Sequence, residues 1–451
     1  MLRCMEEYKV IDGIGYIPEG VTWIETDAFR DCEDLREIVI PSTVTEIGFS
    51  AFRGCINLNS VVIPDSVSYI RADTFAGCSS LKEIFIPASV TCITQPSAFG
   101  ACTGLERIVV DPANPQYDSR GGCNTIIDSE TGILILGCKN TVVPDGVKAI
   151  GFAAFMYVPE ISELLLPESV SVIGAYAYYS CMDMERLNIP ASVKVIDHNA
   201  FGGCHNISSV SVDPDNEVYD SREECDAIIE TVPGMLVFAS RNARIPHGVR
   251  TLGHFAFHAS KDLTEIALPE TVTEIPDSEF SGCVNLKKVT LPDTLVRIGD
   301  RAFSDCVSLA EVEIPESVCE IGEMAFDGCE TLSRVVIHGS PQVLSDALFR
   351  DCPNLKEVVV PDSVRVIGRN VFDRCVALER VALPSSLAEI RYCAFAGCAA
   401  LAEVSLPEGV SVAEGAFDGC PAKINVPVRY YDGSGLDIIE ADIFSGGLDG
   451  F

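Results

Sequence analysis

Histidine and cysteine are the side chains here best suited to metal or nucleophilic chemistry. All six histidines lie between residues 198 and 338, and His254 and His258 stand four apart with His247 just upstream. On a helix that spacing turns two imidazoles toward one ion, but no acidic third ligand follows at a motif distance. No Cys-x-x-Cys pair is present, which argues against a zinc ribbon. Neither a Gly-x-Ser-x-Gly elbow nor a phosphate loop occurs. The chain holds 66 Asp and Glu against 32 Lys and Arg, a net charge of −34, so any two carboxylates chosen as a glycosidase pair would be arbitrary. The expectation is a chain with no catalytic residues, no cofactor and no metal. A polyanion of this kind does not bind nucleic acid through its phosphates.

The cysteines point to positioning elements instead. Thirteen of the 20 (Cys32, Cys55, Cys78, Cys102, Cys181, Cys204, Cys283, Cys306, Cys329, Cys352, Cys375, Cys398 and Cys420) share one slot of a repeat, while Cys4, Cys92, Cys123, Cys138, Cys225, Cys319 and Cys393 lie outside it. The repeat is marked by proline: Pro18, Pro41, Pro64 and Pro87 are 23 residues apart. So are Pro144, Pro167 and Pro190, and so is the run from Pro246 to Pro407, with His338 in one proline slot. A fixed period in the twenties means stacked coils that bury apolar surface only against one another. A column cysteine is then a small buried hydrophobe with a weak donor, expected as a free thiol.

The coil beginning at Ile314 reads IPESVCEIGEMAFDGCETLSRVV. Alternating Leu309, Val312 and Ile314 predict a strand buried on one face, which ends at proline because proline cannot donate to a ladder. A second extended stretch falls around Val318 and Ile321, and Gly322 turns the chain. Met324-Ala325-Phe326 predicts one helical or 3₁₀ turn that drops Phe326 into the core. Fifteen such coils carry the phenylalanine column from Phe29 to Phe417, with Tyr178 as one member. At the parallel-strand spacing they span about 70 Å or more.

Over roughly residues 17–427 this unit resembles the BspA-like class of leucine-rich repeats, found in many bacterial surface proteins. The resemblance implies an α/β repeat fold, a right-handed leucine-rich-repeat solenoid with a continuous parallel β-sheet and short helical or 3₁₀ turns. Family members are mostly adhesins, so it also implies binding rather than turnover, a host or matrix protein as partner, and a cell-surface or secreted location. We expect a monomer with residues 1–16 as an N-terminal cap, the solenoid over 17–427, and 428–451 as a C-terminal cap or docking tail. Leu436, Ile438, Ile439, Ile443 and Phe444 are placed to cover the last coil. The opening segment lacks the apolar core of a signal peptide and no stretch approaches a membrane span. That departs from most of the family and leaves a cytoplasmic interaction module, or a structural spacer, as the alternative.

Two long coils, near 110–142 and 212–244, interrupt the period with matching text. Asn114, Tyr117, Asp118, Ser119, Arg120 and Cys123 correspond to Asn216, Tyr219, Asp220, Ser221, Arg222 and Cys225. Apolar pairs around turn signals predict a hairpin in each. A Tyr-Asp-Ser-Arg turn closed by Asp–Arg bonding is the plainer reading, and a protruding binding rim the bolder one.

Two strand positions face outward. The first reads Glu265, Lys288, Glu311, Arg334, Glu357, Arg380 and Glu403, alternating in sign, as in a cross-strand ion ladder. The second reads Val39, Val62, Phe85, Val109 and Leu165 in the N-terminal part and turns mostly polar beyond it. These five residues form the candidate partner-binding stripe, because exposed apolar patches mark interaction sites.

Overall fold

The structure, a computed structural model, describes residues 8–163, 165–424, 428–431 and 439–441. Residues up to Ser221 form one compact unit and those from Arg222 onward a second. Both are built from the coil read in the sequence, and the fold is the expected solenoid of parallel strands.

Within each run of regular coils three backbone ladders tie one coil to the next. In Glu311–Ile314, Val312 and Ile314 are buried while Glu311 and Glu313 face out, as the two-residue period of a strand requires. This strand pairs in register with Arg334–Ile337, which continues to Glu357–Val359 and Arg380–Ala382. After the proline, a hydroxyl explains the Ser or Thr of the repeat. Thr43 Oγ1 donates to Val21 O (2.8 Å) and Ser192 Oγ to Val170 O (2.7 Å), each one coil back. A second, narrower ladder joins Glu274–Ile275, Arg297–Ile298 and Glu320–Ile321. A third runs through the turn, where Phe280 N–H donates to Ala302 O and Phe303 N–H to Ala325 O, both at 2.8 Å.

That turn differs from the helical one expected. Met324 has φ +57°, and equivalent residues from Asp27 (+60°) to Cys393 (+56°) are left-handed too. A left-handed residue cannot belong to a right-handed helix, so the segment closes as a hydrogen-bonded turn. Pro96–Phe99, in a coil one residue longer, does form a 3₁₀ helix at this place.

Within each run of regular coils, stacking then places one ring per coil in a largely buried column, with neighbouring centroids 5.0–5.8 Å apart. Beside it runs the cysteine column, and all described cysteines are free. From Cys55 to Cys398 the column thiols donate to the carbonyl of the preceding coil's aromatic residue, as Cys55 Sγ does to Phe29 O (2.9 Å), Cys204 to Tyr178 O (3.0 Å) and Cys329 to Phe303 O (3.2 Å), while Cys420 turns to Leu401 O (3.7 Å). Cysteine therefore adds a second, inter-coil bond to a carbonyl that already accepts its own turn's amide, as Phe29 O does from Cys32 N–H (3.1 Å) and Phe303 O from Cys306 N–H (3.2 Å). Burial pushes the Cys102 and Cys283 thiols up to about 12, which keeps them as donors rather than nucleophiles.

The long coils end one run of ladders and seed the next. Tyr117 OH accepts from Ile93 N–H and Tyr219 OH from Ile196 N–H, both at 2.8 Å. Ser119 Oγ accepts from Val110 N–H (3.0 Å) and Ser221 Oγ from Val212 N–H (3.2 Å). Asn114 Nδ2 bonds Pro87 O and Val90 O (2.7 and 2.9 Å), and Asn216 repeats this with Pro190 O and Val193 O (2.8 and 3.0 Å). Arg120 closes on Asp118 through two bonds of 2.8 and 2.6 Å. The repeated motif thus caps open strand edges that would otherwise expose unpaired amides. Antiparallel hairpins follow, Thr125–Asp128 with Ile133–Gly137 and Ala227–Glu230 with Met235–Ala239. Their second strands start new parallel ladders at Ala149–Ile150 and Thr251–Leu252.

At the start, Lys9–Ile11 and Ile14–Tyr16 form an antiparallel hairpin whose second strand pairs with Glu37–Val39. Buried Tyr8 lies 5.2 Å from the Phe29 ring. Near the other end Val428–Tyr431 pairs with Ser411–Ala413 and then, antiparallel, with Ile439–Ala441. Cys4, Leu436, Ile438, Ile443 and Phe444 lie outside the described residues. Among the described residues no helix is long and apolar enough to cross a membrane.

Candidate protein-binding face

The strand residue following the buried central valine or isoleucine points away from the core. In the first unit it presents Val39 (65% exposed), Val62 (70%) and Phe85 (43%). Register sets Val39 beside Val62, and Phe85 beside Val109. The strands Ser60–Val62 and Glu83–Ile86 lie next to each other, although they belong to separate ladders. Tyr16, 49% exposed and in register with Val39, extends the row by one coil. Sequence reasoning misses Tyr16 because residues 1–16 lack the repeat; an aromatic at the alternate position of a short strand is the available signal.

Two expected members stand apart. Val109 is only half exposed, in the last strand before the long coil, where Ser119 clasps the adjacent Val110 amide. Leu165 is well exposed but belongs to no strand and follows the first long coil, so it does not share a ladder with the others. Glu83 and Arg107 flank Phe85 as an exposed pair at 2.7 Å. Burying one valine or phenylalanine of this row against a partner is worth about 1.5–3 kcal/mol.

In the second unit the same position holds Ala267, Thr290, Glu313, Val336, Val359 and Ala382. The adjacent charge row has the expected register, Glu265 beside Lys288 and Arg334 between Glu311 and Glu357. Direct contact follows a different route: Arg334 reaches Glu313 on the neighbouring row at 3.4 Å. The long guanidinium arm crosses the row diagonally, and among the described residues no ion pair links it to Glu311 or Glu357.

The other candidate chemistry has little to work with. His254 lines a shallow pocket with Glu274, Asp277 and Arg297. Arg297 engages Glu274 (2.6 Å), Asp277 (3.1 Å) and Glu320 (3.1 Å), so those carboxylates are already committed. His258 Nδ1 lies 3.3 Å from Ser278 O, and its ring sits edge-on to Phe255 at 5.3 Å. Among the described residues no group of three His, Cys, Asp or Glu side chains is arranged to hold a metal ion.

No curated protein matches the chain. The chain is similar to solved leucine-rich repeat structures. A leucine-rich repeat protein from Eubacterium ventriosum is 22% identical, with 94% of this chain and 95% of that one covered and a TM-score of 0.50. A leucine rich cell surface protein from Faecalibacterium prausnitzii is 24% identical over 88% and 85% of the two chains, with a TM-score of 0.42. A leucine-rich repeat protein from Bacteroides ovatus is 24% identical over 92% and 84%, with a TM-score of 0.33. The family model for the BspA type leucine rich repeat region matches residues 15–118, 136–225, 239–356 and 342–446. With its proline, cysteine and phenylalanine columns confirmed in three dimensions, the chain belongs to the BspA-type leucine-rich repeat family.

Proposed function

We propose that this chain is a non-catalytic protein-binding scaffold, an adhesin-like bacterial surface or secreted protein that engages host or matrix proteins. The row Tyr16, Val39, Val62 and Phe85 is the binding face, with Val109 at its edge and Leu165 beyond the first long coil. The observation that carries this reading is the exposure of large apolar side chains on adjacent strands of one unit, at a repeat position that is mostly small or polar in the other. Family membership supports the surface setting. The second reading, an intracellular module that organises other proteins or a structural spacer, is favoured by the many free thiols, which suit a reducing compartment. A pull-down against host extracellular-matrix proteins and against the cell's own lysate, with wild type and Phe85→Asp, separates them. Matrix capture lost in the variant supports the first reading, and specific capture of a cytoplasmic protein supports the second.

A further inference from the structure

The first unit carries an aromatic cluster that neither the stack nor the sheet face requires. Phe152, Tyr157, Tyr176, Tyr179 and His198 come from three successive coils and meet beside the turns. Tyr176 is the hub, edge-to-face with Phe152 (5.7 Å), Tyr179 (5.6 Å) and His198 (5.4 Å), while Tyr179 meets Tyr157 at 5.9 Å. Phe152 is 53% exposed and Tyr157 42%, and His198 is exposed too.

Two of these rings sit where the backbone disfavours them. Tyr176 has φ +56° and Tyr157 φ +62°. Other coils place Asp27, Asp73 or Asn370 in the slot of Tyr176, though Arg301, Met324 and Phe255 stand there too, and the slot of Tyr157 holds mostly glycine or aspartate, as at Gly54, Gly77, Gly328 and Asp351. Asp, Asn and Gly tolerate the left-handed region, and bulky rings do so poorly. Burial in the core does not offset the strain, since the phenylalanine column lies elsewhere. At Tyr157, where other coils mostly use glycine or aspartate, strain held at a surface position is a pointer to function.

Charge selects the occupant. Aromatic faces attract cations, and the neighbouring cations of this chain are largely engaged. Lys139 pairs with Glu106 (3.1 Å) and Glu160 (3.2 Å), Arg186 with Glu163 (2.7 Å), and Lys194 with Glu217 (3.1 Å). Asp197, next to His198, and Asp183, just past the Tyr179 turn, are exposed and make no ion pair among the described residues. We infer that Phe152, Tyr157, Tyr176, Tyr179 and His198 form a docking platform for an arginine- or lysine-rich segment of a protein partner, held by cation–π contact and by Asp183 and Asp197. This surface is separate from the sheet-face row and does not rest on it.

The test titrates the full chain with a fluorescent Arg-Gly repeat peptide, and with the same peptide carrying neutral citrulline, at physiological salt. Tyr157→Gly combined with Tyr176→Asn installs residues that other coils use at these slots, so the fold persists and the melting temperature holds or rises. The arginine peptide is expected to bind, the citrulline peptide not, and the double variant to bind about tenfold more weakly. Equal binding by wild type and variant would assign the attraction to bulk negative charge and overturn the platform. So would an absence of arginine-peptide binding, or a preference of the patch for a neutral oligosaccharide.

Discussion

Replacing Glu279 with alanine should stabilise the second unit, and the gain should grow with pH. Glu279 occupies the slot before a column phenylalanine, where other coils have Ala256, Ala302, Ala325 and Ala394. It is fully buried, and neither carboxyl oxygen finds a hydrogen-bond partner, although the amides of Phe255, Ala256 and Phe257 face it. Burial pushes its carboxyl well above the ordinary range. The stack registers the intrusion: the turn-ladder bond expected from Phe257 N–H to Glu279 O is missing, and the Phe257 and Phe280 rings tilt by 26° where Phe303 and Phe326 differ by 6°. In the unfolded chain the group ionises above its ordinary value of 4.5 while the folded one keeps its proton. The unfolded state thus binds fewer protons, and stability falls by about 1.4 kcal/mol per pH unit until the folded group ionises too. Two pH units into that window the loss is about 3 kcal/mol, and a restored backbone bond adds about 1 kcal/mol. After allowance for the small cavity left by truncation, Glu279→Ala should melt about 5–10 °C higher near neutral pH. Circular-dichroism melts at a series of pH values from 4.5 to 7.5 give the comparison, with Glu279→Gln as a volume-matched control that flattens the slope. Parallel pH profiles for parent and variants, or a lower melting point for Glu279→Ala at neutral pH, would refute the reasoning.

Phe303→Ala empties a slot between rings 5.2 and 5.3 Å away and should cost about 3–5 kcal/mol, read as a lower urea midpoint; a change under about 1 kcal/mol contradicts the column as core. Tyr117→Phe removes the hydroxyl that accepts from Ile93 N–H and should cost about 1 kcal/mol, with faster hydrogen exchange at Ile93; unchanged exchange there contradicts the clasp. Among the described cysteines, alkylation of the native chain should modify exposed Cys319 well before Cys306, Cys329, Cys352 and Cys375, which react once urea opens the stack; rapid native labelling of the column contradicts its burial.

The coil was legible because each residue class meets the same environment again and again. Proline stops a strand, phenylalanine fills the column and cysteine donates to the previous turn, so all three surface as a period. The left-handed turn was not legible, since its slot accepts Asp, Ser, Met, Ala and Cys alike, and those types signal no shared backbone. Register of the charge row was readable, but the contact was not, because the reach of Arg334 toward Glu313 depends on side-chain conformation rather than spacing. The long coils were half legible: the hairpins and the Asp118–Arg120 closure follow from the text, while the edge-capping by Tyr117 and Ser119 appears only when the preceding coil is in place. On the proposed binding face, the exposure of Val39, Val62 and Phe85 followed from strand alternation. Tyr16 lay outside the period, and the Tyr176 cluster gathers residues whose slots look unrelated in any one coil.

The proposed binding face is tested most directly by affinity for immobilised host matrix proteins, measured for the wild type, a Val39→Asp/Val62→Asp/Phe85→Asp variant and a Val359→Asp control in the second unit. The account predicts saturable binding that the triple variant loses by about tenfold or more and the control retains. Equal loss in both variants, undiminished binding by the triple variant, or no matrix binding by the wild type would contradict it.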